Sequence, residues 1–197
     1  MPHRLPGGAL DPTPGANARA MLEASLRAYV LLGPIDPQAD LAGGADALGR
    51  AERVIAITSH LSEPLARVAS VVLPAGSFAE TSGTYVNVEG RWQSWAGAAR
   101  LVGESRPGWK ILRVLGNLLD LPGFDYESSE EVRDALRAVC GTNVEPQTAG
   151  GLPGAALSAR GAAAPWLLIP PYGGDALVRA SAPLAKTKDG QIARVVI

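Results

Sequence analysis

The chain has 197 residues, 47% of them hydrophobic, and a net charge of −1 because Lys+Arg (18) nearly cancels Asp+Glu (19). That balance suits a globular core and excludes the basic stripe that a nucleic-acid surface requires. One cysteine, Cys140, excludes an internal disulfide, and it cannot supply the three or four sulfur ligands of an iron–sulfur cluster or a thiolate zinc site. The lone thiol predicts a reducing, cytoplasmic compartment. The opening "MPHRLPGGALDP" has no secretory h-region, and no apolar run approaches the roughly 18–20 residues of a membrane helix, so no direct membrane insertion is expected. With His3 and His60 as the only histidines, no metal site and no catalytic histidine is expected.

Taken in chain order, residues 1–16 are an irregular, Pro/Gly-rich segment. Asn17 is the predicted N-cap of a short helix, "ARAMLEAS". "AYVLL", Ala28 to Leu32, is an apolar strand stopped by Gly33-Pro34. "DPQADLAGGADALGRAE" reads as a weak helix loosened by Gly43 and Gly44, and "RVIAITS" as a second apolar strand. Ser62 caps "EPLARVA", with Pro64 in the first turn, and "SVVLP" forms a third strand. Near-continuous apolar strands alternating with helices predict an α/β fold with a doubly wound, mainly parallel sheet.

The run "ETSGTYVNVEGRWQS" stands out in this bland sequence. From Thr84 to Gln93 apolar and polar positions nearly alternate, and Gly90 breaks the register. That predicts a short β segment, either two strands or one bent at a glycine. Next comes the helix "PGWKILRVLGNLLDL", with Trp109, Leu112, Leu115 and Leu119 on one predicted core face, flanked by Ile111 and Leu118. Ser128-x-x-Glu131 is a capping box for "EEVRDALRAVC", whose Val132, Leu136 and Val139 form its apolar stripe and which Cys140 closes. Residues 141–165 read as a Gly/Ala/Pro-rich linker or loop. Residues 166–197 form a strand and helix appendage: "WLLIP", "DALVRASAPL" and a terminal strand "IARVVI".

The segment "VVLPAGSFAETSGTYVNVEGRWQSW" resembles the molybdopterin oxidoreductases, where a V-V-L-P strand precedes E-x-x-G-T-x-x-N-x-E-G-R-x-Q. Its continuation, "GESRPGWKILRVLGNLLDLPGFDYESSEEVRDAL", narrows the resemblance to the C-terminal region of one family, the large iron–sulfur subunits of bacterial NADH-quinone oxidoreductase (respiratory complex I). The resemblance covers roughly residues 4 to 188 and is specific over 70 to 137. It implies a molybdopterin oxidoreductase-like α/β domain over 17–140. It also implies a role as the redox-centre-free, C-terminal part of that large subunit, scaffolding the peripheral arm between NADH and quinone.

Iron–sulfur clusters are implied only for an N-terminal part that precedes anything in this chain. The implied partners are that part and the other peripheral-arm subunits. The implied location is cytoplasmic, held through the complex at the inner face of the cell membrane. A first strand without the neighbours that precede it would leave an apolar edge, so the isolated chain is expected to be marginally stable.

Molybdopterin enzymes hold a guanine nucleotide on the equivalent sheet, commonly through Asn-Pro after the first strand and Asp after the second. Here those places carry Gly33-Pro34 and Thr58-Ser59. The missing carboxylate removes a charge-assisted hydrogen bond worth about 1.5–3 kcal/mol. No cofactor is therefore expected in this chain. Thr84, Asn87, Glu89, Arg91 and Gln93 are the candidate residues for crosslinking domains, for a vestigial pocket or for a live ligand site, with a partly buried Arg91 paired to Glu89 or Glu80. The alternatives are a piece of a formate dehydrogenase-like molybdopterin enzyme and an inactive stand-alone remnant. Ser59, His60 and Glu63 are triad residue types, but they sit too close in sequence for a working triad. Glu130 and Glu131 suit a helix start.

Overall fold

The computed structural model describes residues 15–87, 89–140, 167–168, 172–191 and 195–196. The expected segment 1–16 therefore lies outside the described residues apart from its last two, and so does the expected linker 141–165. The chain divides into two compact units, Met1–Thr148 and Ala149–Ile197.

The first unit opens with helix α1, Ala18–Glu23, where Asn17 accepts from the Ala20 amide at 2.9 Å as its N-cap role requires. Strands β1 (Ala28–Leu32), β2 (Arg53–Thr58) and β3 (Val71–Pro74) pair in parallel in the order β1-β2-β3. Val30 sits beside Ile55, Ile55 beside Val71, and Ile57 beside Leu73. The connections carry helices α2 (Gly44–Gly49) and α3 (Glu63–Val68), as an α/β fold demands. Ser62 caps α3 by accepting from the Leu65 amide at 3.3 Å.

The expected weak helix from Asp36 is shorter than its sequence suggests. The Asp36 carboxylate accepts from the amides of Gln38 and Ala39 and holds a turn there. Gly43 then adopts φ +72°, and helical geometry starts only at Gly44.

Period-two alternation divides the sheet into unequal faces. On one face Tyr29, Leu31, Val54 and Ala56 pack against Leu48 of α2 and Leu65 of α3, and this is the core. The Tyr29 hydroxyl leaves that core by donating to the Met21 carbonyl at 2.8 Å and accepting from the Leu26 amide at 3.2 Å. On the other face Ile57 is fully buried, but Val30 (58% exposed), Leu32 (55%) and Val71 (45%) are open. The continuous apolar strands suggest burial on both faces; within the described residues only one face is fully covered.

A hairpin follows, β4 (Gly83–Val86) antiparallel to β5 (Trp92–Trp95). The predicted short β segment thus takes its two-strand form. Arg106 next returns alongside β3, its amide donating to the Pro74 carbonyl at 3.1 Å and its carbonyl accepting from Gly76 at 2.9 Å. That bridge sets the start of α4, Gly108–Leu118, which lies against β2.

The apolar stripe of α4 is only partly a core face. Trp109, Leu112 and Leu115 are half-buried, whereas Leu118 is exposed and Leu119, beyond the helix end, is exposed too. Helix α5 spans Ser129–Cys140. Its capping box is shifted: Glu131 donates its amide to Ser128 Oγ at 3.2 Å, but its carboxylate accepts from Glu127 rather than from the cap residue. Leu136, expected to be buried, is half exposed.

In the second unit, β6 (Leu167–Leu168) pairs antiparallel with β7 (Val195–Val196). The single predicted helix over "DALVRASAPL" is two, α6 (Ala176–Arg179) and α7 (Ala182–Ala185), followed by a 3-10 turn at Asp189–Gln191. Asp175 caps α6 by accepting from Leu177 and Val178, both at 2.9 Å.

Candidate functional site

The five candidate residues all fall on the β4–β5 hairpin, and three of them build its turn. Asn87 Oδ1 accepts from the backbone amides of Glu89 (3.0 Å) and Arg91 (2.9 Å), and its backbone amide donates to the Arg91 carbonyl at 3.1 Å. Gly90 completes the turn at φ +77°, a conformation that a side chain would strain. Thr84 Oγ1 lies 2.9 Å from Ser94 Oγ across the ladder, and Gln93 stands opposite Tyr85.

Arg91 departs from the expectation of burial. It does pair with Glu89, at 3.6 Å, but its side chain is 71% exposed, so the pair is a solvated surface contact and not a buried one. Glu80, the other expected partner, works elsewhere. One carboxylate oxygen accepts from the Ser77 amide at 2.7 Å and the other from the Val102 amide at 3.0 Å. These bonds fasten the loop before the hairpin to the loop after it. The Ser77 backbone amide, then the Ser77 side chain, hold the Glu80 carboxyl below its ordinary range; partial desolvation opposes them and the Val102 amide adds to them.

Beside the hairpin lies a cleft of about 550 Å³ that includes Leu32 at the end of β1, Trp92, Trp95, Trp109, Ser129 and Arg133. Tyr85 stacks on Trp95 with ring centroids 4.7 Å apart, and the Trp95 indole donates to the carbonyls of Thr81 (3.1 Å) and Phe78 (3.2 Å). Gly83 is glycine because a side chain there would strike the Trp95 ring. Ser82 Oγ meets Ser129 Oγ at 2.7 Å, tying the hairpin to α5, and the Arg137 guanidinium sits 5.3 Å from the Trp92 ring centre. Sequence reasoning singles out none of Trp92, Trp95, Ser129 and Arg137. The two tryptophans inside a polar run are the available signal; the link to α5 has none.

The cleft brings together aromatic rings and hydroxyls, with Arg133 already bonded to the Asp134 carboxylate. It does not assemble a nucleophile, a base and an orienting group. At the end of β2, Thr58 donates to the His60 carbonyl at 2.7 Å and accepts from the His60 amide at 3.2 Å. Its hydroxyl is therefore used inside its own turn. Thr58 is buried, and its oxygen is satisfied within the protein. Glu63, the third triad residue type, pairs with Arg67 one helical turn on. Among the described residues no group of three or more His, Cys, Asp or Glu could hold a metal ion, and no helix is long and apolar enough to cross a membrane.

Residues 8–118, more than half of the chain, match the molybdopterin oxidoreductase family. The chain belongs to that family. Among its relatives are the mitochondrial NADH-ubiquinone oxidoreductase 78 kDa subunit of Neurospora crassa, 35% identical over 97 residues, and the NADH-ubiquinone oxidoreductase 75 kDa subunit of Reclinomonas americana, 35% identical over 88. The mitochondrial NADH dehydrogenase [ubiquinone] iron-sulfur protein 1 of Solanum tuberosum is 38% identical over 71 residues. These alignments take in 47%, 45% and 36% of this chain but only 13%, 13% and 10% of the relatives. The chain thus spans about an eighth or less of the length of the proteins it matches. The resemblance to molybdopterin oxidoreductases carried by "VVLPAGSFAETSGTYVNVEGRWQSW", and its narrowing to complex I large subunits by the continuation "GESRPGWKILRVLGNLLDLPGFDYESSEEVRDAL", agree with these comparisons.

Proposed function

We propose that this chain serves as a scaffold within the large iron–sulfur subunit of a complex I peripheral arm, with no redox centre of its own. The observation that carries this reading is the similarity to the 78 kDa and 75 kDa subunits of NADH-ubiquinone oxidoreductase and to an NADH dehydrogenase [ubiquinone] iron-sulfur protein 1, combined with a cleft where Ser82 bonds Ser129 and the Trp95 indole bonds backbone carbonyls. Electron transfer would then run through cysteine-bearing parts of the assembly. The chain would be held at the inner face of the membrane by its neighbours. Its domain plan would be an α/β body over 17–140, a linker over 141–165 and an appendage over 166–197.

The second reading, a formate dehydrogenase-like molybdopterin enzyme, is disfavoured by Thr58, whose hydroxyl closes on His60 where that family places a carboxylate. We propose that the chain holds no pterin.

Native electrophoresis of gently solubilised membranes, probed with an antibody to "ETSGTYVNVEGR", tests the proposal. The antigen should run in the band that oxidises NADH and carry no molybdenum. An antigen found only in the soluble fraction, away from NADH-oxidising activity, overturns the complex I role. Stoichiometric molybdenum in purified protein would restore the pterin reading.

A further inference from the structure

We infer that the groove between β3 and α4 receives an amphipathic helix of another polypeptide segment, with an apolar stripe flanked by carboxylates. The groove has a volume of about 450 Å³ and is floored by Leu73, Ile111, Val114, Leu115 and Leu118. Val71, two residues before Leu73 on β3 and so on the same sheet face, is exposed, and so are Leu119 and Leu121 just past the end of α4. Leu118, one of the lining residues, is 73% exposed. Parallel sheets are ordinarily covered on both faces, and the covering elements are helices. An apolar groove between a strand and a helix is a site that another helix fills, with anchors at i, i+3, i+4 and i+7.

The rim decides the charge of the partner. Every ionisable residue lining the groove is a cation: Arg106, Lys110 and Arg113. Among the described residues none of them is ion-paired. The Arg106 guanidinium donates to the carbonyls of Glu104 and Ser105, and Lys110 lies 5.3 Å from the centre of the Trp109 ring. The Arg113 Nε is buried and has no acceptor among the described residues, a state that costs free energy until an oxygen is supplied. A second copy of the same surface is a poor occupant, because a two-fold contact would set these cations against their own images. A carboxylate-flanked helix meets the apolar floor and the cationic rim together.

The groove is defined by this chain alone, so its test and the assembly test can fail separately. Two synthetic helical peptides of about five turns (~18 residues) would share one leucine stripe and differ only in flanking Glu or flanking Lys. Titration of the full chain at low salt, read by fluorescence anisotropy, should show the Glu-flanked peptide binding at least about tenfold tighter. Added salt should erode that preference. Lys110→Glu should narrow it. Leu118→Asp, or Val114→Asp if the first variant melts abnormally, should abolish binding of both peptides. Equal binding of the two peptides, no binding of either, or binding indifferent to both Asp variants overturns the inference. Concentration-dependent dimerisation abolished by Leu118→Asp also overturns it, in favour of self-association.

Discussion

Glu80 shows how one carboxylate organises this protein without doing chemistry. Its two oxygens take amides from Ser77 and Val102, residues on either side of the hairpin, so the charge shortens the freedom of two loops at once. The folded state holds this carboxyl below its ordinary value of 4.5. A depressed carboxyl pKa stabilises the fold above the unfolded value, and that contribution disappears as pH falls through the folded value. Glu80→Gln should therefore melt below the parent at pH 7, and the gap should close as both are melted at successively lower pH below about 4.5. Thermal melts across that range, followed by circular dichroism, check it; a gap that stays constant would mean the carboxylate charge contributes nothing. From sequence, Glu80 belongs with Arg91 because the two share one polar run, yet the real partners are backbone amides, which carry no residue identity to read. Asn87 is more legible, since Asn before a glycine-containing turn has one well-known use, bonding amides two and four residues on.

At the scale of elements, those whose signals are local are well marked in the sequence. Asn17 and Ser62 cap the helices they precede, and the three apolar runs pair as parallel strands. Signals that depend on distant neighbours are poorly marked. A stripe on α4 announces only that something apolar should lie beside it, and here half of that stripe faces the open groove. Gly116 makes the same point from inside the helix. A glycine at an interior helical position ordinarily costs about 0.5–1 kcal/mol relative to alanine, so Gly116→Ala would look stabilising from sequence. In the fold the Phe124 ring packs against Gly116 where a side-chain carbon would have to go. Gly116→Ala should therefore destabilise by about 1–3 kcal/mol, the usual effect of overpacking. Phe124→Leu in the same chain should return part of that loss. Urea unfolding of the two single variants and the double variant measures the coupling, and additive effects would show that the ring and the glycine are independent.

For the whole molecule, the two faces of one three-stranded sheet set up opposite expectations for the same kind of side chain. Leu65 seals the covered face and is fully buried against Tyr29, Leu31 and Val54. Leu65→Ala leaves a cavity there and should cost about 2–5 kcal/mol, a large part of the stability of a domain this size. Val30 lies on the same strand as Leu31 but points the other way and is mostly solvated. Val30→Thr removes little burial, so its effect on urea unfolding of the isolated chain should stay within about 0.5 kcal/mol. The same change should matter once a neighbour covers that face, since a hydroxyl would then need a partner there. Comparing the two variants alone and within the complex proposed above separates these cases. Leu65→Ala should lower the amount of folded chain in both settings, whereas Val30→Thr should spare the isolated chain and weaken its retention in the complex. If Val30→Thr is as costly as Leu65→Ala in the isolated chain, the second face is closed in solution and the sheet is complete without a neighbour.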